Sequence, residues 1–398
     1  MAKSPLLMLL SRHPYAEQSG RAVMLRQRIE QARLQFEPRL VVVGAPAGDA
    51  RDEGLDFLPM PWPPAIALNA ARLWNLPLQT WLYYSGDLRA RVAELVEESG
   101  ATAVYVDMLR LAPLASRLPA RTSLIVDYDD LLSERYRQAA GQNYEVMGFL
   151  ARRVGPLAGI ARAFARPILR AEAERCAAYE QEMLRRANLV LFTSPREAAA
   201  IAQPGAHVMS APPLIATHAN TPAPGRRLIF LGNMRYGENV VMLRALAGAA
   251  VQLTLPDDAF IEVVGDHPDE LPSQFDAARF RFTGRIPDLA SLAGAGVFLA
   301  PVTSGSGVKL KVLDGMALGC PVVGTPKACE GLSVRANRDL LVAADPVGVL
   351  RAALQLRDRT ALKAMLAQRG RAYLETNHAP AIGERVADAM MAAVTRAR

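Results

Sequence analysis

What most restricts the fold of this chain is an alternation that occurs twice. Short apolar runs stand at Leu6–Leu10, Leu40–Gly44, Ala103–Val106 and Leu124–Asp127, separated by helix-length patterns. The first of these helical patterns runs from about Arg21 to Leu34, after a polar loop at Ser11–Gly20. A second series follows at Leu228–Leu231, Phe260–Val264, Phe280–Thr283, Val297–Ala300 and Pro321–Val323, with Leu340–Ala343 and a last helical stretch at Ile382–Thr395 behind it. Apolar runs this short are strands buried on both faces, and strands that alternate with helices make parallel sheets covered by those helices. Each series therefore predicts one doubly wound α/β unit.

Between the two series lies Gln203–Arg226, with Pro204, Gly205, Pro212, Pro213, Pro222, Pro224 and Gly225 and no apolar period. Such a stretch predicts a linker. The expected organisation is a first domain over 1–205, a linker over 206–226, a second domain over 227–375 and a helix over 376–398 that crosses back to the first. A chain of 398 residues with 51% hydrophobic residues suffices for two such cores. No apolar run reaches the roughly 18 residues of a membrane span, and Leu6–Leu10 is too short for a signal peptide. Three cysteines, Cys176, Cys320 and Cys329, lack metal-ligand spacing and point to a reducing cytoplasm.

The net charge is +7, yet no Lys/Arg block carries interleaved aromatics, so nucleic acid is not the expected partner. The type of basic residue is more telling. Only five of 46 basic residues are lysine, and three of the five, Lys309, Lys311 and Lys327, fall within nineteen positions. A compact ammonium is selected there over a guanidinium fork. These lysines sit in Ala300–Leu332, APVTSGSGVKLKVLDGMALGCPVVGTPKACEGL. A strand ends at Pro301, the loop Thr303-Ser304-Gly305-Ser306-Gly307 follows, and a helix runs from about Val308 to Leu318, terminated by Gly319. Glycines let backbone approach a ligand, and free N–H groups at a helix start attract phosphate. A Gly/Ser loop followed by solvated lysines, with no ligand, would look the same from residue types alone.

This segment resembles the group 1 glycosyltransferases, whose donor domain carries a strand, a Gly-rich loop, a Lys, an acid and an Ala-x-Gly-x-Pro-Val-Val run. Leu228–Asn239, LIFLGNMRYGEN, is similar to the family's donor-domain opening, and Phe282–Asp288, FTGRIPD, to its Thr-Gly-x-x-x-Asp loop. The N-terminal half resembles a bacterial exopolysaccharide-associated branch through Arg12-His13-Pro14-Tyr15, Ser19-Gly20-Arg21, VDYDDLLSERYRQAA and AEAERCAAYEQEML. The resemblance implies the GT-B architecture: two Rossmann-like domains with a cleft between them and a C-terminal helix. It implies transfer of a sugar from a nucleotide diphosphate donor, UDP-linked, to a growing lipid-linked saccharide. Lys309 would bind the diphosphate, with Lys311 as fallback, and Asp314 would take the place of a Glu that accepts from ribose hydroxyls, provided the helix lies slightly closer. Gly232 and Asn233 would form a second phosphate-facing loop, Arg285 and Ile286 would pass the nucleobase, Ser304 to Gly307 would line the donor, and Glu330 would stand at the rim. Ser19, Gly20 and Arg21 would form an acceptor-side loop. Many relatives carry a further acid eight positions before Asp314; here that position is Ser306, which leaves the donor sugar and the stereochemistry open.

Asp127-Tyr128-Asp129 spells a metal-binding DxD string, but a lysine-based phosphate site removes the need for a metal, and no cofactor is expected. Asp127, Asp129 or Asp130, at the carboxyl end of a strand, would instead serve an inverting enzyme as base. A helix N-cap is the equal alternative. His13 and Glu17 are rival acid/base candidates. Val146–Ala171 holds Arg152, Arg153, Arg162, Arg166 and Arg170 and no acid, which suits peripheral contact with an anionic membrane, at the inner face of the cytoplasmic membrane, or a solvated basic face. Trp62, Trp74 and Trp81 make an acceptor wall, a membrane contact or a core. Two other functions compete with transfer: a sugar-nucleotide epimerase of the same fold and a non-catalytic nucleotide-sugar-binding relative.

Overall fold

The computed structural model describes residues 3–16, 20–141, 158–217, 225–305 and 307–397. The chain forms two compact units, one of Met1–Pro213 with Gly383–Arg398 and one of Leu214–Ile382.

The first unit is built on seven strands: β1 (Ser4–Leu10), β2 (Phe36–Val43), β3 (Leu55–Leu58), β4 (Ala103–Asp107), β5 (Ser123–Asp129), β6 (Leu189–Phe192) and β7 (Val208–Ser210). Their order is β3-β2-β1-β4-β5-β6-β7, all parallel. Period-two alternation divides each central strand between two cores. Leu7, Leu9, Val104, Val106 and Val126 enter one, and Leu6, Met8, Leu10, Tyr105 and Ile125 the other. Helix α1 (Gly20–Gln35) returns the chain from β1 to β2, burying Met24, Leu25, Ile29 and Ala32. It also buries Arg21 and Arg28, two charges whose partners decide the chemistry of this sheet edge. Farther along come α2 (Pro63–Arg72), α3 (Leu78–Tyr83), α4 (Gly86–Ser99), α5 (Leu132–Gly141), α6 (Ala158–Arg186) and α7 (Pro195–Ile201).

The second unit has six parallel strands: β8 (Arg227–Leu231), β9 (Ile261–Val264), β10 (Phe280–Gly284), β11 (Gly296–Ala300), β12 (Val322–Gly324) and β13 (Leu341–Val342), in the order β10-β9-β8-β11-β12-β13. Helices α8 (Gly237–Gln252), α9 (Leu310–Ala317), α10 (Pro346–Leu356) and α11 (Thr360–Asn377) accompany them. Two glycines set close approaches. A Cβ at Gly296 would stand 2.0 Å from the Arg227 carbonyl oxygen, so β11 starts hard against β8. One at Gly315 would stand 2.7 Å from the Phe298 ring, so α9 lies close on the sheet.

The last helix, α12 (Pro380–Ala397), buries Val386, Met390, Ala393 and Val394 in the first unit's core beside Leu6, Met8 and Leu25. The end of the first domain differs from the sequence expectation. Val208–Ser210, inside the expected linker, forms β7 by pairing with β6, and the first unit runs on to Pro213. Three residues between Gly and Pro are too few to show a period, so this strand is specified by its neighbour.

Candidate functional site

In a doubly wound sheet, ligands bind at the carboxyl ends of the strands where the strand order reverses. In the second unit that point lies between β8 and β11, because β9 and β10 are added on one side and β12 and β13 on the other. The loops leaving β8 and β11 are the two that the sequence singles out.

After β8, Gly232 donates its N–H to Val264 and Met234 donates to Asp266, which turns the chain sharply over the end of β9. The crossing is tight: a Cβ at Gly265 would lie 2.0 Å from the Gly232 carbonyl oxygen. The Asn233 side chain accepts the N–H of Arg235 at 2.9 Å and closes the turn into α8. After β11, Gly305 and Gly307 take φ of 93° and 69°, the left-handed region that suits glycine. Gly331 packs against this loop, since a Cβ there would meet the Gly307 backbone at 3.0 Å. The neighbouring Glu330 is thereby brought to the loop, where it pairs with Lys327 at 2.5 Å. Ser304 is half-buried in the loop, and Ser306 lies outside the described residues.

The two lysines behave differently. Lys309 precedes the helix as the N-cap residue of α9, and its Nζ donates to the Gly307 carbonyl at 2.9 Å. Lys311, in the first turn, reaches inward. Its Nζ lies 4.1 Å from the centre of the Phe230 ring and donates to Asn239 Oδ1 at 3.2 Å. Burial pulls the Lys311 ammonium down to about 7, against the opposing pull of Asp314 and Glu238. Burial likewise pushes the Asp314 carboxyl up to about 6, against Lys311. A partly buried cation in the first turn of a helix gains electrostatically from an anion held there. Arg285 and Ile286 follow Gly284 at the end of β10, two strands from β8, and the Gly284 carbonyl accepts the N–H of Gly265. The roles of Phe230, Glu238 and Asn239 were not assigned from sequence, although Phe230 and Glu238–Asn239 stand inside the quoted LIFLGNMRYGEN run.

The first unit's carboxylates do not match the expectation of free bases. Asp127 is fully buried. Arg28 Nε donates to it at 2.9 Å and the Tyr105 hydroxyl at 2.7 Å, and Arg21 lies 3.5 Å away. Burial alone would raise its carboxyl, but Arg21, Arg28 and Tyr105 outweigh burial and hold it at about 2. A carboxylate so held is a counter-ion. Arg21, expected in an acceptor-side loop after Ser19 and Gly20, is itself buried on α1 and binds Asp107 through Nε at 2.9 Å and through a second nitrogen. Gly20 opens α1 and is exposed, while Glu17 and Ser19 lie outside the described residues. Asp130 is buried against Arg135 at 2.5 Å. Asp129 differs: its side chain keeps 23% exposure while bonded to the Thr193 hydroxyl at 2.7 Å and to Arg21 at 3.1 Å. Burial and the carboxylates of Asp130 and Asp127 push it above the ordinary range, against Arg21.

His13 is also committed. Its Nδ1 accepts the N–H groups of Tyr15 and Ala16, at 3.1 and 3.0 Å, so the ring proton sits on Nε2 and is donated to Asp52 at 2.8 Å. With both nitrogens engaged and 6% of the side chain exposed, it is a loop brace and not a free acid/base group. Of the tryptophans, Trp62 and Trp74 are exposed, whereas Trp81 donates its indole N–H to the Leu73 carbonyl. Arg152 and Arg153 lie outside the described residues.

Comparison with known proteins places this geometry. Residues 225–359 match the family model described as Glycosyl transferases group 1. Comparison with curated proteins gives no match. Among solved structures, sucrose-phosphate synthase (tll1590) from Thermosynechococcus elongatus is similar with a TM-score of 0.66 at 16% identity, over 99% of this chain and 100% of that one. Anabaena Alr3699/HepE in complex with UDP gives 0.64 at 14% identity, over 98% and 100%. WaaG, a glycosyltransferase involved in lipopolysaccharide biosynthesis, gives 0.57 at 17% identity, over 96% and 98%. Residues 225–359 thus match the group 1 glycosyl transferase model, and the chain has the two-sheet fold of the GT-B glycosyltransferases.

Proposed function

We propose that the enzyme transfers a sugar from a UDP-linked donor to a growing, lipid-linked saccharide in bacterial surface or exopolysaccharide synthesis. The observation that carries this reading is the switch point of the second unit, where Gly232, the Gly305–Gly307 loop and the inward Lys311 surround one sheet edge. A glycine loop leading into a helix start, with a partly buried ammonium beside it, suits a diphosphate. Asp314, three positions on from Lys311 along α9, would accept from the ribose hydroxyls, and the packing of Gly315 against Phe298, which holds that helix close to the sheet, supports this role. The HepE structure holds UDP in the same fold, which supports the choice of nucleotide. WaaG acts in lipopolysaccharide biosynthesis, which supports a surface saccharide as acceptor.

In this reading the lysine offsets the diphosphate charge and no metal takes part. Asp129 takes the acceptor hydroxyl proton: of the three aspartates it alone keeps an exposed edge, and its raised affinity for protons suits a base. Work at the inner face of the cytoplasmic membrane requires peripheral attachment, since no helix among the described residues is long and apolar enough to cross a bilayer. The test is calorimetric titration with UDP, then turnover of UDP-sugars with and without membrane extract. UDP binding and donor consumption that depends on the extract are expected. Conversion of donor without an acceptor would favour an epimerase, and binding without turnover a non-catalytic protein. No binding of UDP would overturn the reading.

A further inference from the structure

The two loops of the candidate site come from different strand–helix units, and one side chain joins them. Asn239, in the first turn of α8, donates through Nδ2 to the Asn233 carbonyl at 2.8 Å. Through Oδ1 it accepts from Lys311 Nζ at 3.2 Å. These two partners fix the amide's orientation, because a flip would set an NH2 against an ammonium and an oxygen against a carbonyl. Gly232 makes room for this side chain. A Cβ at that position would stand 2.9, 3.0 and 3.1 Å from the three terminal atoms of Asn239. On its other side the Lys311 ammonium rests on the Phe230 ring.

We propose that Asn239 is a positioning residue for the donor diphosphate, holding the Lys311 ammonium at a fixed place relative to the Gly232–Asn233 backbone. The inference rests on the reading of this edge as a diphosphate site. Lysine has four flexible bonds, and its rotamer freedom must be lost on binding unless it is already restrained. Asn239 restrains it before the ligand arrives. A neutral acceptor does this without cancelling the charge, whereas an aspartate here would form an ion pair and compete with the phosphates. The charged groups facing Lys311 are Glu238 from α8 and Asp314 from α9, and Lys309 flanks the same glycine loop as Glu238. Asn239 is therefore an uncharged polar contact among charged neighbours.

The experiment compares wild type, Asn239→Ala and Asn239→Asp by calorimetry with UDP-glucose from pH 6 to 9. In parallel, carbon-13 lysine NMR of the free protein follows Lys311; five lysines keep the spectrum simple, and Lys311→Arg assigns the resonance. With Ala, affinity should fall at least about tenfold and the Lys311 midpoint should move down, since a bond to its charged form is lost. With Asp, affinity should also fall, but the midpoint should move up. A general packing defect would not move the midpoint in opposite directions. Should the Ala variant fail to fold, the near-isosteric Asp variant decides. Wild-type binding with affinity and midpoint unchanged in the variants would overturn the role of Asn239 alone. No UDP-glucose binding by wild type would overturn the diphosphate reading and, with it, the positioning of a diphosphate.

Discussion

Asp127 neutralises guanidinium charge inside the first unit, and its removal should be felt as lost stability. Asp127→Asn leaves Arg28 fully buried with a weaker partner, and breaking such a pair costs about 3–5 kcal/mol. Urea unfolding should show this, with donor binding by the second unit unchanged. Normal stability with turnover at least about 100-fold down would return Asp127 to the role of base. The pH sign follows from the depressed carboxyl. Its stabilisation is complete above the unfolded value of about 4 and is lost as pH falls toward about 2. Acid unfolding in that window should be absent from the Asn variant. Lys311 works in the opposite sense. An ammonium drawn down to about 7 by burial weakens the free protein, and in the proposed complex a phosphate would offset that cost. Lys311→Met should therefore raise the thermal midpoint, by about 2–4 °C per kcal/mol released, while lowering donor affinity at least tenfold. A lowered midpoint, or retained affinity, would remove Lys311 from the phosphate site and leave Lys309. The carboxylate at the strand end was visible in the sequence. Its two arginines, about a hundred residues earlier on α1, were not, because a side-chain partner at that distance leaves no local pattern.

Helix α9 carries both Lys311 and Asp314, so its height above the sheet sets where these two side chains stand in the proposed donor site. Gly315 sets that height: an added Cβ would meet Phe298 at 2.7 and 2.8 Å and Val322 at 2.9 Å. All three are below any ordinary contact, and Phe298 is fully buried, so the helix must move. Gly315→Ala gains about 1 kcal/mol of helix propensity but meets an overpacking cost of about 1–3 kcal/mol. The expected net result is a loss of up to about 2 kcal/mol and weaker donor binding. Phe298→Leu added to it should restore binding, because it empties the space the methyl needs. An Ala variant that binds like wild type would show that α9 height is not set here. At this scale the sequence was most legible where elements are long and apolar, as in β1 and β11. It was least legible for β3 and β7, of four and three residues, which no run singled out in the sequence marks and which form by pairing with β2 and β6.

At the scale of the molecule, the doubled strand–helix alternation was enough to read two parallel sheets, and the glycine–lysine loop to single out the switch point of the second. The acceptor side was less legible, because no residue pattern identifies a lipid-linked saccharide. Attachment to a membrane is where that gap can be tested. Val146–Ala171 contains no acid, and within its described part Arg166, Ile168 and Arg170 are exposed. Trp62 and Trp74 are exposed at 70% and 67%, and residues 57–86 hold no acid either. Exposed indole is costly in water and favourable at the headgroup level of a bilayer. Each arginine near an anionic surface adds about 1 kcal/mol, and salt screens that part alone. The two contributions should therefore separate in cosedimentation with anionic and neutral vesicles at low and high salt. Changing Arg152, Arg153, Arg162 and Arg166 to Gln should abolish the preference for anionic vesicles and the salt dependence. Trp62→Ser with Trp74→Ser should weaken binding to both vesicle types and leave the salt dependence in place. If wild type binds neither vesicle, the proposed membrane contact through these arginines and tryptophans is overturned.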